Sequence, residues 1–163
     1  MKKLSLIFAA ILLLILCFTA CDQNKGMEYS FSYNGHAIRI GDDGKALSAD
    51  LGECLDYHEY GSCGAEKKDK EFYYPGFRYD TVWSDEADRI VKIVLTDDRV
   101  ATPQGIKIGD AKSAVISAYG DDYTETADGS LEYTDGNARL QFGIRDGVVM
   151  SIHYLESGAQ SAE

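Results

Sequence analysis

The chain has 163 residues and carries 27 Asp and Glu against 16 Lys and Arg, a net charge of −11. This acidity argues against nucleic-acid binding, because duplex binding needs Lys and Arg side chains that displace counterions from phosphates. It also argues against charge-driven attraction to anionic lipid. A chain of this length buries roughly two-thirds of its unfolded surface, so it can form a core.

The N-terminus has the pattern of an export signal. Two lysines follow Met1 and precede an apolar run over residues 4–18. A charged start and a short apolar stretch are typical of a signal peptide. The run is shorter than the roughly 20 apolar residues that a membrane span needs. We therefore predict a signal peptide at residues 1–20 and not a retained helix.

The next residues carry a possible lipid attachment site. Residues 18–21, FTAC, resemble the lipobox of bacterial lipoproteins, in which a small residue precedes a cysteine that is lipidated. The resemblance implies that Cys21 is acylated, that residues 21–27 form a lipidated tether, and that the protein is a membrane-anchored, extracytoplasmic lipoprotein. Ordinary cleavage after Ala20, which leaves Cys21 unmodified, is the alternative.

Two segments of the chain repeat each other without a gap. Residues 37–53 match residues 105–121 at an offset of 68, with six identities in seventeen positions. The match continues downstream at an offset of 59, so the first copy is nine residues longer between Gly52 and Tyr74. Insertions of this kind often carry individual function. We divide the mature chain after the tether into a first copy at 28–98, a second copy at 99–156 and a flexible tail at 157–163.

Each copy is predicted to contain one short helix. Asp42 and Asp110 follow an Ile-x-Ile-Gly sequence and are predicted N-caps, and Gly52 and Gly120 are predicted helix ends. Helices this short are not stable alone, so each must pack on a flat surface.

Strands are predicted to follow each helix. In the second copy, residues 138–145 alternate apolar and polar side chains, and Asp146-Gly147 marks a tight turn into residues 148–155. The corresponding strands of the first copy are residues 72–74, 77–84 and 89–96, with an additional hairpin at 29–33 and Asn34-Gly35. Trp83 falls on Phe142 at the offset of 59, which predicts a core position.

These elements predict an α+β fold: two tandem helix-plus-antiparallel-strand repeats that form one continuous sheet with the helices on one face. The duplicated pattern resembles the β-lactamase inhibitory protein and its relatives over roughly residues 28–155. The small outer-membrane assembly lipoproteins resemble a single copy. The resemblance extends to a cysteine pair after the first helix, here Cys54 and Cys63. It implies a platform for binding surfaces; no local motif matches the inhibitor's contact residues.

The additional loop of the first copy carries two cysteines. Cys54 and Cys63 lie in an exported protein, which favours a disulfide. Such a bond would stabilise the chain by about 2.7 kcal/mol in the chain-entropy model. An alternative is that Cys54, His58 and Cys63 ligate zinc, with an acidic fourth ligand, in a small metal-binding or enzymatic domain. The spacing matches no common zinc pattern.

Tyrosines cluster in and after this loop. Tyrosine offers a large, rigid and amphipathic contact surface at modest entropy cost. We therefore predict a partner-binding surface formed by Tyr57, His58, Tyr60, Tyr73 and Tyr74. The alternative is that these tyrosines pack in the core as ordinary strand residues.

No sequence motif indicates catalysis. The chain has no nucleophile elbow, no H-E-x-x-H pair, no phosphate-binding glycine loop and no dinucleotide fingerprint. We expect no catalytic residues, no bound metal and no cofactor. The sequence thus predicts a lipid-anchored protein-binding module of the cell envelope, whose partner is an envelope or secreted protein. The narrower alternative, from the resemblance, is an inhibitor of a secreted hydrolase such as a β-lactamase.

Overall fold

The structure is a computed structural model that describes residues 29–61, 68–84 and 87–157. These residues form ten strands and two helices. The strands are β1 Ser30–Tyr33, β2 His36–Arg39, β3 Asp56–Gly61, β4 Lys68–Tyr74, β5 Phe77–Ser84, β6 Ala87–Leu95, β7 Thr124–Glu125, β8 Leu131–Asp135, β9 Ala138–Arg145 and β10 Val148–Glu156; the helices are α1 Gly44–Leu51 and α2 Lys112–Tyr119. The predicted signal peptide and Cys21 tether lie outside the described residues.

Eight of the strands form one antiparallel sheet in the order β3-β4-β5-β6-β10-β9-β8-β7. Each group of four consecutive strands is a meander, and the two groups meet where β6 pairs with β10. Four residue pairs form this junction, from Ile152 opposite Leu95 to Leu155 opposite Lys92. Strands β1 and β2 form a separate two-stranded sheet.

The predicted α+β class and helix-plus-strand repeat are wrong. Strands make up 53% of the described structure and helices only 13%, so the protein is mostly β. Each helix has eight residues and is too short to form a layer that covers an eight-stranded sheet. The segment predicted as a stapled loop also adds strand β3 to the sheet.

The two repeated segments hold their turns against the sheet in the same way. The Gly41 amide donates to the Ile90 carbonyl over 2.8 Å, and the Gly109 amide donates to the Val149 carbonyl over the same distance. Both glycines have positive φ, 93° and 97°, which non-glycine residues rarely adopt. The repeated glycine therefore serves a turn that docks on β6 in one place and on β10 in the other.

The aspartates predicted as helix caps close these turns instead. The Asp42 carboxylate accepts from the Arg39 amide at 3.0 Å, and the Asp110 carboxylate accepts from the Lys107 amide at 2.7 Å. The N-cap of α1 is the next residue, Asp43, and α2 begins after Ala111 without a side-chain cap. Gly52 and Gly120 end the helices with φ of 83° and 86°, as predicted.

The core lies on one face of the large sheet. Helix α1 reaches it through the Gly44 carbonyl, which accepts from the buried Tyr79 hydroxyl at 2.9 Å. Helix α2 packs Tyr119 on Phe142, with ring centroids 5.2 Å apart. The β1–β2 hairpin inserts Phe31 against Phe77 at 4.8 Å. The two helices and the hairpin therefore cover the same face of the large sheet, and none of them packs on the other face.

The prediction for Trp83 is wrong, because the two copies differ in hairpin length. The hydroxyls of Tyr74 and Tyr133 donate to the carbonyls of Gly52 and Gly120, so these tyrosines do correspond. The β4–β5 and β8–β9 turns both have two residues, but the β8–β9 hairpin continues for two residue pairs beyond Tyr133. Buried Tyr79 consequently occupies the place of Phe142, and Trp83 lies half-buried in an extension of the β5–β6 hairpin.

Candidate binding face

The sheet has a second face on which no described helix or hairpin packs. We call it the open face. Cross-strand neighbours share a face of a sheet, so the register of β4, β5, β6 and β10 assigns its members. They are Glu71 and Tyr73 on β4, Arg78 and Asp80 on β5, Lys92 and Val94 on β6, and His153 and Leu155 on β10.

Three of the predicted binding residues meet at the β3–β4 end of the open face. His58 lies edge-on to Tyr73, with ring centroids 5.5 Å apart, and 6.4 Å from Tyr60. Alternation along β3 places His58 and Tyr60 on the same side, and His58 is opposite Glu71 in the register. The structure therefore brings His58, Tyr60 and Tyr73 together in one aromatic cluster.

The other two predicted residues lie on the opposite side of the sheet. Tyr57 packs on Phe72 with ring centroids 5.0 Å apart. Tyr74 is 4% exposed and belongs to the core. Its hydroxyl donates to the Gly52 carbonyl. Tyr74 is therefore not available to a partner, and Tyr57 cannot contact a partner that lies on the open face.

The Glu71 carboxylate accepts hydrogen bonds from both tyrosines of the aromatic cluster. Oε2 of Glu71 accepts from the hydroxyls of Tyr73 at 2.7 Å and Tyr60 at 3.0 Å, and its Oε1 accepts from Arg78 at 2.9 Å. The Arg78 guanidinium also pairs with Asp80 and lies 5.8 Å from the Tyr73 ring centroid. The cluster is thus held by one connected network, which limits the freedom of its rings.

The network shifts the pKa values of its members. The hydrogen bond to Glu71, followed by burial, raises the pKa of Tyr73 to about 12. Burial disfavours the charge of Glu71, but the bonds from Tyr73, Tyr60 and Arg78 outweigh it and lower its pKa. Burial raises the pKa of Asp80 despite the nearby Arg78. At neutral pH the tyrosines are therefore neutral donors to a charged Glu71.

Towards the middle of the sheet the open face becomes less acidic. His153 lies opposite Val94 in the register, and Lys92 is on the same face of the neighbouring strand. Burial, then the charges of Lys92 and Arg78, lower the pKa of His153 to about 4. His153 is therefore neutral at physiological pH.

Sequence analysis did not find Glu71, Arg78 or His153. Each is a polar residue in an alternating strand, and such residues normally face water without a role. Only the register shows that Arg78 is opposite Tyr73 and that His58 is opposite Glu71. The available signal was a polar side chain that lies beside aromatic ones on neighbouring strands. It can be recognised only when the strand pairing is known.

The structure does not bring the alternative zinc ligands together. Cys54 is half-buried against the core, on the same side as Tyr57 and Tyr79, whose pKa values it affects. His58 lies on the open face and its Nε2 is 3.2 Å from a carboxylate oxygen of Asp56. Cys63 lies outside the described residues. No metal-ligand group occurs among the residues that the structure does describe.

The predicted disulfide stays a prediction, because Cys63 lies outside the described residues. Strand β3, which separates the two cysteines in the sequence, runs extended from Asp56 to Gly61 and pairs with β4 along its whole length.

Comparisons with known proteins give little further guidance. No protein-family model matches the chain, and no curated protein matches its sequence. A cysteine-rich secretory protein from Staphylococcus aureus aligns with 72% of this chain and 43% of its own length, at a TM-score of 0.47 and 17% identity. An extracellular protein containing an SCP domain from Bacillus anthracis aligns with 72% and 44%, at 0.41 and 13%. The chain thus spans less than half of either protein, and at this level neither similarity supports an inference about its activity or partners.

Proposed function

We propose that the chain is a lipid-anchored, extracytoplasmic protein-binding module of the cell envelope, and that it binds an envelope or secreted protein through the open face. The observation that carries the proposal is the aromatic cluster of His58, Tyr60 and Tyr73 on the uncovered side of the sheet. The cluster stands on strands, which hold its members in place more firmly than a loop would.

The cluster has the properties of a protein-contact surface. Tyr60 is 53% exposed, although its hydroxyl is tied to Glu71. An exposed ring that is already oriented loses little further freedom when a partner covers it. A tyrosine side chain combines an apolar ring with a polar hydroxyl, so it also suits an interface that is partly apolar and partly hydrated. The same surface offers Arg78, a residue type that is common in binding hot spots.

The proposed location rests on the sequence. Residues 1–21 have the features of an export signal followed by a lipidation site. No helix among the described residues is long and apolar enough to cross a membrane. An acyl chain at Cys21 would supply the anchor, since the negative charge of the chain gives no attraction to anionic lipid.

Two tyrosines of the same strand allow a matched test. The full chain is purified in mild detergent, immobilised, and used to capture proteins from envelope and secreted extracts of the host at two salt concentrations. Tyr60→Ala removes an open-face ring, whereas Tyr57→Ala removes a ring from the other side of β3. Loss of a captured protein with Tyr60→Ala but not with Tyr57→Ala supports the proposal.

The reverse pattern would place the contact on the covered side and overturn the open-face assignment. Capture that neither variant changes would do the same. If the retained protein is a hydrolase, its activity is measured with and without the chain, which tests the narrower inhibitor hypothesis directly.

A further inference from the structure

Strand β3 forms one edge of the large sheet, and its backbone is the longest unpaired edge that the described residues offer. All six residues from Asp56 to Gly61 are exposed. They pair with β4 in six consecutive positions without a shift in register. The opposite edge is β7, which has only two residues.

Natural sheets usually protect such an edge. Lysine, proline and bulges on the outermost strand discourage further pairing. The sequence of β3, DYHEYG, contains neither lysine nor proline, and its pairing contains no bulge. No described strand pairs with the outer side of this regular edge of six residues.

The outward amides can be assigned from one hydrogen bond. The Tyr57 amide donates to Oδ1 of the neighbouring Asp56 over 2.9 Å, which indicates that it faces away from β4. Alternate residues of an antiparallel strand direct their amides to the same side. The amides of Glu59 and Gly61 therefore also face outward.

The charge of the edge selects the kind of strand that would fit. Asp56 and Glu59 are the formally charged residues of β3, and they lie on opposite faces of the strand. Glu59 already pairs with Lys68 of β4, so Asp56, on the side of the open face, is the charge that a further strand would meet. The chain as a whole has a net charge of −11. Cross-strand pairs of opposite charge stabilise a sheet, and like charges destabilise it. The rings of Tyr57 and Tyr60 on its two sides can also accept a cation.

From these observations we infer that β3 binds an extended, basic segment of the partner protein as an additional strand of the sheet. The inference rests on the proposed protein-binding function and specifies how the partner is held. Main-chain hydrogen bonds to β3 supply affinity, and alternate Lys or Arg side chains on the face of Asp56 supply selectivity. The added strand would extend the open face next to the aromatic cluster.

The probe is a blocked hexapeptide of alternating Lys and Val, and its control alternates Glu and Val. Both have the same strand propensity and differ in charge. Binding to the full chain in detergent is followed by hydrogen exchange at each amide. We expect the Lys peptide to slow exchange at Glu59 and Gly61, and the Glu peptide to have no such effect.

Two substitutions at one position separate strand addition from simple charge attraction. Glu59→Pro removes an outward amide, and proline is tolerated at such edge positions. Glu59→Thr removes the same charge but keeps the amide. We expect Glu59→Pro to bind the Lys peptide about tenfold more weakly than Glu59→Thr, the effect of losing one or more backbone hydrogen bonds. Circular dichroism and thermal unfolding show whether both variants fold.

Equal binding of the Lys peptide by the two folded variants would overturn the inference. So would a peptide that slows amide exchange only at residues outside β3. If Glu59→Pro does not fold, the exchange pattern of the unmodified chain decides by itself. Dimerisation through β3 without peptide binding would assign the edge to a second copy and overturn the basic-partner assignment. Tyr73→Ala, which changes the aromatic cluster on β4 and not the edge strand, should weaken capture of the whole partner while leaving peptide binding intact. Failure of the edge is thus distinguishable from failure of the open face.

Discussion

Nζ of Lys70 lies 2.6 Å from Oδ2 of Asp88, although β5 separates their strands. The Asp88 side chain is 1% exposed and that of Lys70 is 19% exposed. Among the described residues, Oδ1 of Asp88 has no hydrogen-bond partner. The ion pair with Lys70 thus stabilises the buried Asp88 carboxylate, because a buried carboxylate without a counter-charge is strongly unfavourable.

Removing this lysine should therefore destabilise the sheet. We expect Lys70→Met to lower the free energy of unfolding by about 3 kcal/mol, the effect of leaving one buried charge without its partner. The matched control is Lys68→Met, which breaks the exposed pair with Glu59. Exposed pairs contribute little. Urea unfolding at pH 7 measures both variants, and an equal effect of the two would contradict the assigned role of Asp88.

His153 should make stability depend on pH. Its pKa is lowered to about 4 by burial and by Lys92 and Arg78, from an unfolded value near 6.5. Between these values the unfolded chain binds a proton that the folded chain refuses, so stability falls as the pH falls from about 6.5 to about 4. The difference amounts to at most about 3 kcal/mol.

His153→Gln should remove this part of the pH dependence. The control is His58→Gln, because His58 is half exposed. Urea unfolding at pH 7 and at pH 4.5 gives the change in stability for each variant. A pH dependence that is the same in His153→Gln as in the parent chain would show that His153 is not shielded in the folded protein.

Two glycines should respond differently to alanine. A Cβ on Gly44 would lie 2.5 Å from Cγ2 of Thr81 and 3.0 Å from Cε2 of Tyr79, both buried side chains. On Gly143 it would meet the Ser151 hydroxyl, which can rotate away. We expect Gly44→Ala to cost about 1–3 kcal/mol through overpacking, and Gly143→Ala to change stability little. Thermal unfolding of both compares them, and a stabilised Gly44→Ala would mean that α1 is less closely packed than described.

The oxidation state of the cysteines can be read directly. We expect Cys54 and Cys63 to form a disulfide, because the chain has the features of an exported protein. Thiol titration of the unfolded chain before and after reduction counts the thiols that a disulfide releases. Exchange at the His58 and Tyr60 amides, which face β4, shows whether β3 keeps its pairing in the same sample. A thiol count that reduction leaves unchanged would refute the predicted disulfide.

Sequence patterning located the regular, half-buried strands well. Residues 77–84 form β5 with the predicted bounds, and Asp146-Gly147 is a turn with φ of 53° and 75°. The hairpin around Asn34-Gly35 is also present. These elements follow from local turn chemistry and from one apolar face, both of which are visible in a single sequence.

Strand β3 could not be found in this way. Its residues are exposed on both sides, so the sequence has no apolar alternation to detect. The correspondence of Trp83 with Phe142 failed for a different reason. The β8–β9 hairpin is longer than the β4–β5 hairpin, and the β9–β10 hairpin is shorter than the β5–β6 hairpin by the same number of residues, so the downstream offset is unchanged. The aromatic cluster required both the existence of β3 and its register with β4.

Among the described residues, strand β10 is the last strand in sequence order and a central one in the sheet. It joins the two meanders, because residues 152–155 of β10 pair with β6 and give that strand its second neighbour. Until then, both meanders have an unsatisfied inner edge. If the chain crosses the membrane N-terminus first, as the proposed export signal implies, the inner edge of the first meander stays unpaired until residues 152–155 have followed it.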